Sequence, residues 1–309
     1  MGDPAGIGPE VILSTLARFP AGVRLCVVGD LTLLRSIARR LHLKIPWERT
    51  DWVDLRNAGS VRTGRPGVQS GRAAHAYLEE AVRRLRAGKA DALVTGPVSK
   101  EAIARTGISW RGHTEYLAGA FRCRTTMMFV TGRFRVSLVT THWSIREVPR
   151  RIRQKEVERV LEATRRALIL DFGIRRPRIG LSALNPHGGE GGMFGGEEKE
   201  ILLPAARKLG RSVAGPLPAD SLMQAAARGE YDAVVALYHD QALIPVKLIG
   251  WEQAVNVTLG LPFVRTSPVH GTAFDIAGKG RADPSSMRAA IQLAIQLARR
   301  RTGRYLIKP

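Results

Sequence analysis

The stretch Ala233-Val-Val-Ala-Leu-Tyr-His239 carries an apolar segment of strand length directly into a histidine. The same pattern occurs in Val136-Ser-Leu-Val-Thr-Thr-His142 and in Ile179-Gly-Leu-Ser-Ala-Leu-Asn-Pro-His187. Along the rest of the chain, short apolar runs of this kind alternate with longer amphipathic stretches. This alternation is typical of a mainly parallel α/β fold, in which strands and helices follow one another.

The same alternation predicts the positions of the individual strands and helices. No internal repeat, low-complexity tract or long linker divides the series, which favours one domain inserted into another. The opening helix is indicated by Gly8 followed by Pro9, because proline suits the first helical turn. The predicted strands are 24–28, 92–95, 126–130, 136–140, 178–184, 233–237 and 254–259. The predicted helices are 9–18, 31–41, 72–87, 155–168, 197–209, 218–228 and 284–301.

The composition is that of a soluble globular protein with its own core. Hydrophobic residues make up 44% and charged residues 24% of 309 residues, which excludes a disordered, collagen-like or disulfide-stapled chain. The two cysteines form no CxxC pair, and Cys26, inside Leu25-Cys-Val-Val28, is predicted to be a buried, inert thiol. No apolar run reaches the ~20 residues of a membrane span, and the first residues lack the pattern of a signal peptide. We therefore expect a cytoplasmic protein without a membrane partner.

The formal net charge of +21 is the abnormal feature of this composition. Arginine supplies 39 of the 48 basic residues, and such an excess is also found in nucleic-acid-binding proteins. The arginine pairs are scattered along the chain, however, and most lie in segments that are predicted to be solvated helix faces. No aromatic nucleic-acid motif or Cys/His finger is present. The main expectation is that most arginines lie on solvated helix faces, and attraction of an anionic ligand comes second. A dedicated nucleic-acid binder stays a remote alternative.

The three histidines that end the apolar stretches are candidates for one metal site. Because the carboxyl ends of parallel strands line the ligand crevice, His142, His187 and His239 can converge there from three strands. Three protein ligands with one open position are the arrangement of a catalytic metal site. The alternative is that each histidine is a helix cap or an ordinary strand-end residue. The glycine-rich segment from Asn185 to Glu198 is likewise either a ligand loop or merely flexible.

A second group of polar residues is embedded in apolar surroundings. Lys247, Asn256 and Arg265 follow one another at intervals of nine residues, each within a strand-like apolar segment. A buried lysine or arginine needs an anionic partner, and a substrate phosphate or carboxylate would be such a partner. An edge strand with snorkelling side chains is the alternative.

Two further segments carry weaker signals for ligand binding. Gly112-His-Thr-Glu115 places His113 and Thr114 at the start of a helix, where free N–H groups bind anions, although a capping role for Thr114 explains the motif equally well. In the glycine-rich segment 268–284, Asp275 is suited to accept hydrogen bonds from a ribose diol and to repel a 2′-phosphate. This favours NAD over NADP.

Taken in their order, the motifs of the chain resemble those of the 4-hydroxythreonine-4-phosphate dehydrogenases of pyridoxal phosphate biosynthesis. The matching stretches run through nearly the whole chain, which makes the resemblance specific. They are Gly2-Asp-Pro-Ala-Gly-Ile-Gly-Pro-Glu10, Ala92-Leu-Val-Thr-Gly-Pro-Val98, Gly112-His-Thr-Glu115, Thr141-His142, Leu184-Asn-Pro-His187 with Gly189-Glu-Gly-Gly192, Gly215-Pro-Leu-Pro-Ala-Asp220, Tyr238-His-Asp-Gln241, and Val255-Asn-Val-Thr-Leu-Gly-Leu-Pro-Phe-Val-Arg-Thr266.

The resemblance implies a role for each candidate site residue. One divalent ion per active site (zinc, cobalt, magnesium or manganese) is expected, and Lys247 becomes the candidate catalytic residue for proton transfer. The implied metal ligands are His142, His187 and His239. The implied substrate-binding residues are His113, Thr114, Lys247, Asn256 and Arg265.

The segment His270–Pro284 is similar to the adenosine-binding loop of isopropylmalate dehydrogenases, which belong to the same structural superfamily. This similarity implies that NAD is the cofactor. The implied NAD contacts are Gly271, Asp275 and Asp283.

The resemblance also implies an architecture and an assembly. We expect two α/β/α domains with an active-site cleft between them, like those of isopropylmalate dehydrogenases. The cofactor-side domain would comprise residues 1–110 and 260–309, and an inserted domain for metal, substrate and dimerisation would comprise residues 111–259. Family members are homodimers, so an active site shared between two subunits is expected.

The implied reaction is a metal-dependent, NAD-linked oxidation with decarboxylation. Its substrate is 4-phosphohydroxy-L-threonine, and its product is 3-amino-2-oxopropyl phosphate. Related members act on 4-phosphothreonate, on 4-phosphoerythronate or on the dihydrodiol of terephthalate, and the matched residues do not separate these substrates. A phosphate-binding or nucleic-acid-binding protein without catalysis is the remote alternative.

Overall fold

The structure is a computed structural model that describes residues 1–17 and 23–303. The described chain forms two compact units. The first comprises Met1–Cys123 and Leu261–Ile295, and the second comprises Arg124–Gly260 and the residues from Gln296 onward. Both units combine strands with helices, so the predicted α/β class is confirmed.

The first unit is built from short strands that pair in parallel and from helices of very different length. Its helices are α1 (Gly8–Leu16), α2 (Leu31–Arg40), α3 (Val68–Arg86), α4 (Lys100–Ala104), α5 (His113–Ala120) and most of α11 (Ser285–Arg301), and a 3₁₀ turn covers Trp47–Arg49. Its strands are β1 (Leu25–Gly29), β2 (Thr50–Asp54), β3 (Ala92–Val94) and β10 (Val264–Pro268). Strand β1 pairs with β2, and β10 pairs with β3.

Helix α1 contributes buried residues to two apolar clusters of the first unit. Val11, which is fully buried, packs in one cluster with Met287 of α11. Leu13 packs in another cluster with Leu34 of α2. Helix α2 begins where it does because the Asp30 carboxylate accepts a hydrogen bond from the N–H of Leu33 at 2.9 Å and so caps the helix.

The second unit carries six consecutive strands of a sheet in the spatial order β9, β4, β5, β8, β6, β7. These strands are β4 (Thr126–Thr131), β5 (Phe134–Leu138), β6 (Ile179–Ser182), β7 (Val213–Leu217), β8 (Ala233–Ala236) and β9 (Val255–Leu259). The helices are α6 (Val148–Arg151), α7 (Gln154–Leu170), α8 (Leu203–Lys208), α9 (Ala219–Ala227) and α10 (His239–Gly250). Shorter turns cover Pro186–Gly192, Glu198–Leu202, Gly210–Ser212 and Trp251–Gln253.

Strand β4 is the antiparallel member of this group. It pairs antiparallel with β5 and with β9, whereas β5, β8, β6 and β7 pair with one another in parallel. Gly132, with φ of 56°, and Arg133 join β4 to β5. A connection this short makes a hairpin, because parallel neighbours need a crossover of a dozen or more residues. The strands that lead to the histidines are therefore parallel, as predicted, while β4 is not.

The prediction of a buried thiol at Cys26 is wrong. Cys26 lies in β1 and is exposed, while its neighbours Leu25 and Val27 are half-buried. Successive side chains of a strand point to opposite faces, and the outward face of β1 is the one that carries Cys26.

The prediction of a strand-like setting for Lys247 is also wrong. Lys247 lies in helix α10, whose buried residues Ala242, Leu243 and Val246 follow the spacing of a helix and not of a strand. Pro245 lies inside this helix, and a proline in the interior of a segment argues against a helix when only the sequence is known. Strands β2 and β7 were not predicted, whereas the strand-like setting expected for Arg265 is present as β10. The predicted helix 9–18 ends at a residue outside the described ranges.

Many arginines lie on helix surfaces beside a glutamate three residues earlier. Nε of Arg83 is 2.7 Å from a carboxylate oxygen of Glu80, and Nε of Arg165 is 2.8 Å from one of Glu162. These pairs agree with the expectation that much of the positive charge lies on solvated helix faces, where ion pairs contribute little stability. None of the helices in the described ranges has the length and apolar character of a membrane span.

Candidate active site

Three adjacent parallel strands of the second unit lead to the three predicted metal ligands. His142 follows β5, His239 follows β8 and His187 follows β6, and these strands are neighbours in that order. The pairing of β5 with β8 continues past the strand ends, because the N–H of Val139 donates to the carbonyl of Ala236 at 2.9 Å. This pairing brings the rings of His142 and His239 to 5.9 Å between centroids.

Gln241 links the ends of two of these strands. Its Oε1 accepts a hydrogen bond from the N–H of Leu237, which follows β8, at 2.7 Å. Its Nε2 donates to the carbonyl of Ala183, which follows β6, at 2.8 Å. Sequence reasoning gave Gln241 no role, although its position two residues after His239 was the available signal. The amide fixes the spacing of the strand ends from which two candidate ligands project.

Two of the three histidines have a carboxylate on the same ring nitrogen. Nδ1 of His239 is 2.7 Å from Oδ1 of Asp240, and Nδ1 of His187 is 2.9 Å from Oε2 of Glu190. A carboxylate at Nδ1 fixes the tautomer that leaves the lone pair of Nε2 available to a metal. This donor chemistry fits a divalent transition ion.

The three candidate ligands do not form one cluster in the part of the chain that the structure describes. Within residues 1–17 and 23–303, no group of three or more His, Cys, Asp or Glu side chains stands close enough together to hold an ion. The rings of His142 and His239 lie close together, and His187, in the same unit, has 74% of its side chain exposed.

The glycine-rich segment begins with a left-handed turn at His187. Positive φ values run from His187 (55°) through Gly188, Gly189 and Glu190 to Gly191 (70°). This turn borders a cavity of about 480 Å³, which Lys199 and Pro216 also line. The predicted helix 197–209 is present as a π-helical turn over Glu198–Leu202 that continues into α8.

Arg265 is the strongest candidate anion ligand. It lies in β10, is 3% exposed, and its Nη2 donates to Oγ1 of Thr95 at 2.7 Å. Burial lowers the pKa of Arg265 to about 10, and the charge of Glu115 only partly opposes this shift. A lowered pKa means that the protein environment disfavours the guanidinium charge, so an anionic ligand beside it would be favourable.

His113 lies in the same unit as Arg265 and is the first residue of α5, as predicted. Its ring packs edge-on against Trp110 at 5.6 Å between centroids. Burial lowers the pKa of His113 well below its ordinary value, and the positive charge of Arg265 adds to this shift. Thr114, the next residue of the helix, is half-buried. A neutral imidazole beside a guanidinium is a setting that suits an anion.

Asn256 and Lys247 occupy different environments from Arg265. Asn256 lies in β9, opposite Phe129 of β4, and within the described ranges no group donates a hydrogen bond to its buried Oδ1. Lys247 is exposed on α10, with Nζ 4.8 Å from the centre of the Trp251 ring. The equal spacing of the three residues in sequence therefore does not place them in one common environment. Asn256 nevertheless has a free acceptor atom, to which a donor group of a ligand could form a hydrogen bond.

Helix α1 holds the predicted cofactor loop. Both carboxylate oxygens of Glu10 accept backbone hydrogen bonds, from the N–H of Gly278 at 2.8 Å and from that of Ala282 at 3.1 Å. The N–H of Ile7 also donates to the carbonyl of Thr272 at 2.9 Å. Sequence reasoning gave Glu10 no role, and its position in the first turn of α1 was no signal for a contact so distant in sequence.

The three predicted cofactor residues have distinct settings in this loop. Asp275 is exposed, and a Cβ placed on Gly271 would meet no atom within 4 Å. Asp283 accepts from the N–H of Ser285 at 2.9 Å, which is a capping contact at the start of α11. Nε2 of His270 is buried, and no described group forms a hydrogen bond with it. An exposed carboxylate and an unfilled ring nitrogen fit a loop that receives a nucleoside.

Comparisons with known proteins show the family of the chain. The sequence model of the family described as "Pyridoxal phosphate biosynthetic protein PdxA" matches residues 22–294. The chain belongs to the PdxA family. A 4-hydroxythreonine-4-phosphate dehydrogenase of Geobacter metallireducens is 44% identical over 97% of this chain and 94% of the relative. A D-threonate 4-phosphate dehydrogenase of Cupriavidus necator is 43% identical over 97% of this chain and 96% of the relative.

Solved structures of PdxA relatives share the fold. The crystal structure of 4-hydroxythreonine-4-phosphate dehydrogenase from Klebsiella pneumoniae has a TM-score of 0.86 at 38% identity, covering 96% of this chain and 98% of that one. The predicted family and its oxidoreductase class are thereby confirmed. The two relatives named above carry different substrate names at nearly the same identity, so identity alone does not select one of them.

Proposed function

We propose that this PdxA-family chain oxidises 4-phosphohydroxy-L-threonine with NAD, followed by loss of carbon dioxide to give 3-amino-2-oxopropyl phosphate. The observation that carries the proposal is the placement of His142, His239 and His187 after three adjacent parallel strands. A structural role for each histidine alone would not require this common edge. The nearly equal identity to a D-threonate 4-phosphate dehydrogenase keeps the oxidation of 4-phosphothreonate as a second candidate.

The substrate would be held mainly by groups that favour negative charge. Arg265 supplies a buried, planar guanidinium that suits a phosphate or carboxylate in bidentate fashion. His113 and Thr114 lie at the start of α5, where the helix N-terminus adds N–H donors. Asn256 would accept a hydrogen bond from a substrate hydroxyl or amine at its unfilled Oδ1. Lys247, exposed on α10, is the candidate for binding the carboxylate or carrying a proton.

The metal and the cofactor have fitting residues in this chain. His142, His187 and His239 would hold a divalent ion, and Asp240 and Glu190 would orient two of these rings. The loop with Gly271, Asp275, Asp283 and His270 would receive the adenosine end of NAD. When bound, the ion supplies a Lewis acid to the substrate oxygen and NAD accepts the hydride. The exposed carboxylate of Asp275 would disfavour a 2′-phosphate, which is the reason to propose NAD and not NADP.

The distribution of exposed apolar residues supports a homodimer with a shared active site. Among the described residues, all exposed large hydrophobic side chains except Val68 belong to the second unit. On α10, Ile244 is 58% exposed and Leu248, one turn later, is 83% exposed. Trp143, directly after His142, is 48% exposed. Apolar surface of this kind is typical of interfaces, so we propose that metal ligands come from both subunits.

A steady-state comparison of substrates tests the proposed function. The protein would be assayed with NAD, an added divalent ion and, in turn, 4-phosphohydroxythreonine, 4-phosphothreonate, 4-phosphoerythronate and terephthalate dihydrodiol. We expect the highest kcat/KM with 4-phosphohydroxythreonine and no reduced nicotinamide after chelator treatment. A higher kcat/KM with 4-phosphothreonate would establish the second candidate. Binding of the phosphorylated compounds without any reduction of NAD would indicate a non-catalytic binder.

A further inference from the structure

The turn that carries His187 contains two residues in an unfavourable backbone conformation. His187 has φ of 55° and Glu190 has φ of 46°, and every other residue between His187 and Gly191 is glycine. This left-handed region is unfavourable for residues other than glycine, because their Cβ atom comes too close to the following carbonyl oxygen. These two residues are also the pair whose side chains meet, with Nδ1 of His187 2.9 Å from Oε2 of Glu190.

Stability does not account for this pair. The side chains of His187 and Glu190 are 74% and 48% exposed, and an exposed imidazole–carboxylate contact stabilises the fold by less than two left-handed residues cost. Strained backbone of this kind is found at functional sites, where the geometry serves the chemistry. The contact between the imidazole and the carboxylate is therefore the feature that the turn provides.

The turn itself is held by a different carboxylate. Glu198 is buried, and its Oε1 accepts the N–H groups of Leu184 and Asn185 at 2.9 and 2.8 Å. Its Oε2 accepts from the side-chain amide of Asn185 at 2.9 Å. Glu198 thus fixes the backbone that leads into the turn. Glu190 makes none of these backbone contacts, and its carboxylate contacts the ring of His187.

We propose that Glu190 is a positioning residue for His187. Its carboxylate would accept the hydrogen bond of Nδ1–H, which leaves the lone pair of Nε2 available to a divalent ion. Asp240 makes the equivalent contact with His239 at 2.7 Å, which shows that the arrangement is repeated at a second candidate ligand. The proposal rests on the proposed function, because it takes His187 as a metal ligand.

Cobalt binding to the full-length protein tests this role. The variant Glu190→Gln keeps the size of the side chain and removes its charge. We expect Co²⁺ affinity, measured by competition with a chromophoric chelator, to fall roughly tenfold to a hundredfold, with a change in the visible Co²⁺ absorption bands. In a His187→Ala background, Glu190→Gln should cause no further loss, because the ring on which it acts is gone.

Glu162→Gln is the matched control. Glu162 is also an exposed glutamate paired with a residue three positions away, here Arg165 on α7. We expect this variant to retain the Co²⁺ affinity, the spectrum and the thermal unfolding of the wild type. The metal-free Glu190→Gln protein should likewise unfold at the wild-type temperature, which a merely structural role would not allow.

The outcomes separate this proposal from the proposed function. If the wild type binds Co²⁺ and Glu190→Gln binds it with the same affinity and spectrum, the positioning role is wrong and the metal site stands. A loss of affinity that is matched by a lower unfolding temperature of the metal-free variant also overturns the positioning role. If the wild type binds no Co²⁺, the metal-dependent function fails, and the proposal falls with it.

Discussion

Under the proposed function, Arg265 is the residue on which we expect recognition of the substrate anion to depend most. It is 3% exposed, and burial lowers its pKa to about 10. The charged guanidinium is therefore less favourable in the folded protein than in water. We expect Arg265→Ala to raise the KM for the phosphorylated substrate about tenfold to a hundredfold, because a charge-assisted hydrogen bond is worth roughly 1.5–3 kcal/mol. Arg265→Lys should not restore the KM, since an ammonium cannot make the bidentate contact.

Steady-state kinetics with varied substrate would check this expectation. Arg165→Ala is the control, because Arg165 lies exposed on α7 and pairs with Glu162. This control should leave the KM unchanged. An unchanged KM in Arg265→Ala would show that the anion is held elsewhere.

We expect His113 to make the stability of the first unit depend on pH. Burial and the charge of Arg265 hold the pKa of His113 below its ordinary value of 6.5. At a pH between these two pKa values, His113 therefore binds a proton in the unfolded chain and not in the folded chain. The free energy of unfolding should therefore fall as the pH is lowered below about 6.5 and should be independent of this group above that value. His113→Gln should lose this part of the pH dependence.

Urea unfolding of both proteins at several pH values between about 5 and 8 would measure this difference. Above pH 7 the wild type and His113→Gln should show parallel pH dependence, which serves as the internal control. Identical pH dependence over the whole range would mean that His113 is protonated as easily in the folded as in the unfolded state.

At the scale of elements, the left-handed turn 187–191 predicts unequal effects for two of its glycines. Gly191 has φ of 70°, and an added Cβ there would meet nothing within 4 Å, so Gly191→Ala should lower the free energy of unfolding only by the backbone cost of about 1–2 kcal/mol. At Gly189, with φ of 81°, the added Cβ would also lie 2.7 Å from Oε2 of the buried Glu198. Gly189→Ala should therefore be the more destabilising of the two.

Denaturant unfolding of the two variants, analysed with a common slope, gives the comparison. Each variant is the control for the other, because both place alanine in the same turn at similar φ. Equal losses, or a larger loss for Gly191→Ala, would contradict the close approach of Glu198 to the turn.

The sequence predicts those elements whose apolar pattern is decided locally. Strand β8 and the helix start at His113 are of this kind, and both are present. Helix α10 was missed because Pro245 interrupts its pattern, and this error also placed Lys247 in a strand. The histidines and Arg265 could be singled out because a polar group in an apolar stretch is visible in the sequence itself.

The contacts that support the site could not be read in the same way. Glu198 acts on backbone groups thirteen or more residues earlier, and Glu10 acts on Gly278 from the other end of the chain. Gln241 acts on Ala183 across two strands that are adjacent only in the sheet. These partners are set by tertiary structure, and nothing in the local pattern of a glutamate or glutamine shows which distant group it meets.

At the scale of the whole molecule, the shared active site can be tested by mixing inactive subunits. His142→Ala removes a candidate metal ligand, and Arg265→Ala removes the candidate anion ligand. If one active site takes His142 from one subunit and Arg265 from the other, a mixed dimer places both substitutions in one site and leaves the second site intact. We expect each variant alone to be nearly inactive and the mixture, after subunit exchange, to regain activity with the wild-type KM.

The exposed surface of α10 supplies the control for this experiment. Leu248 is 83% exposed, and a charge there should disrupt an apolar interface. Leu248→Glu, introduced into both inactive variants, should yield monomers in sedimentation and abolish the recovery of activity. If mixing never restores activity although mixed dimers form, both residues of a site come from the same chain. A wild-type protein that sediments as a fully active monomer would rule out a shared site altogether.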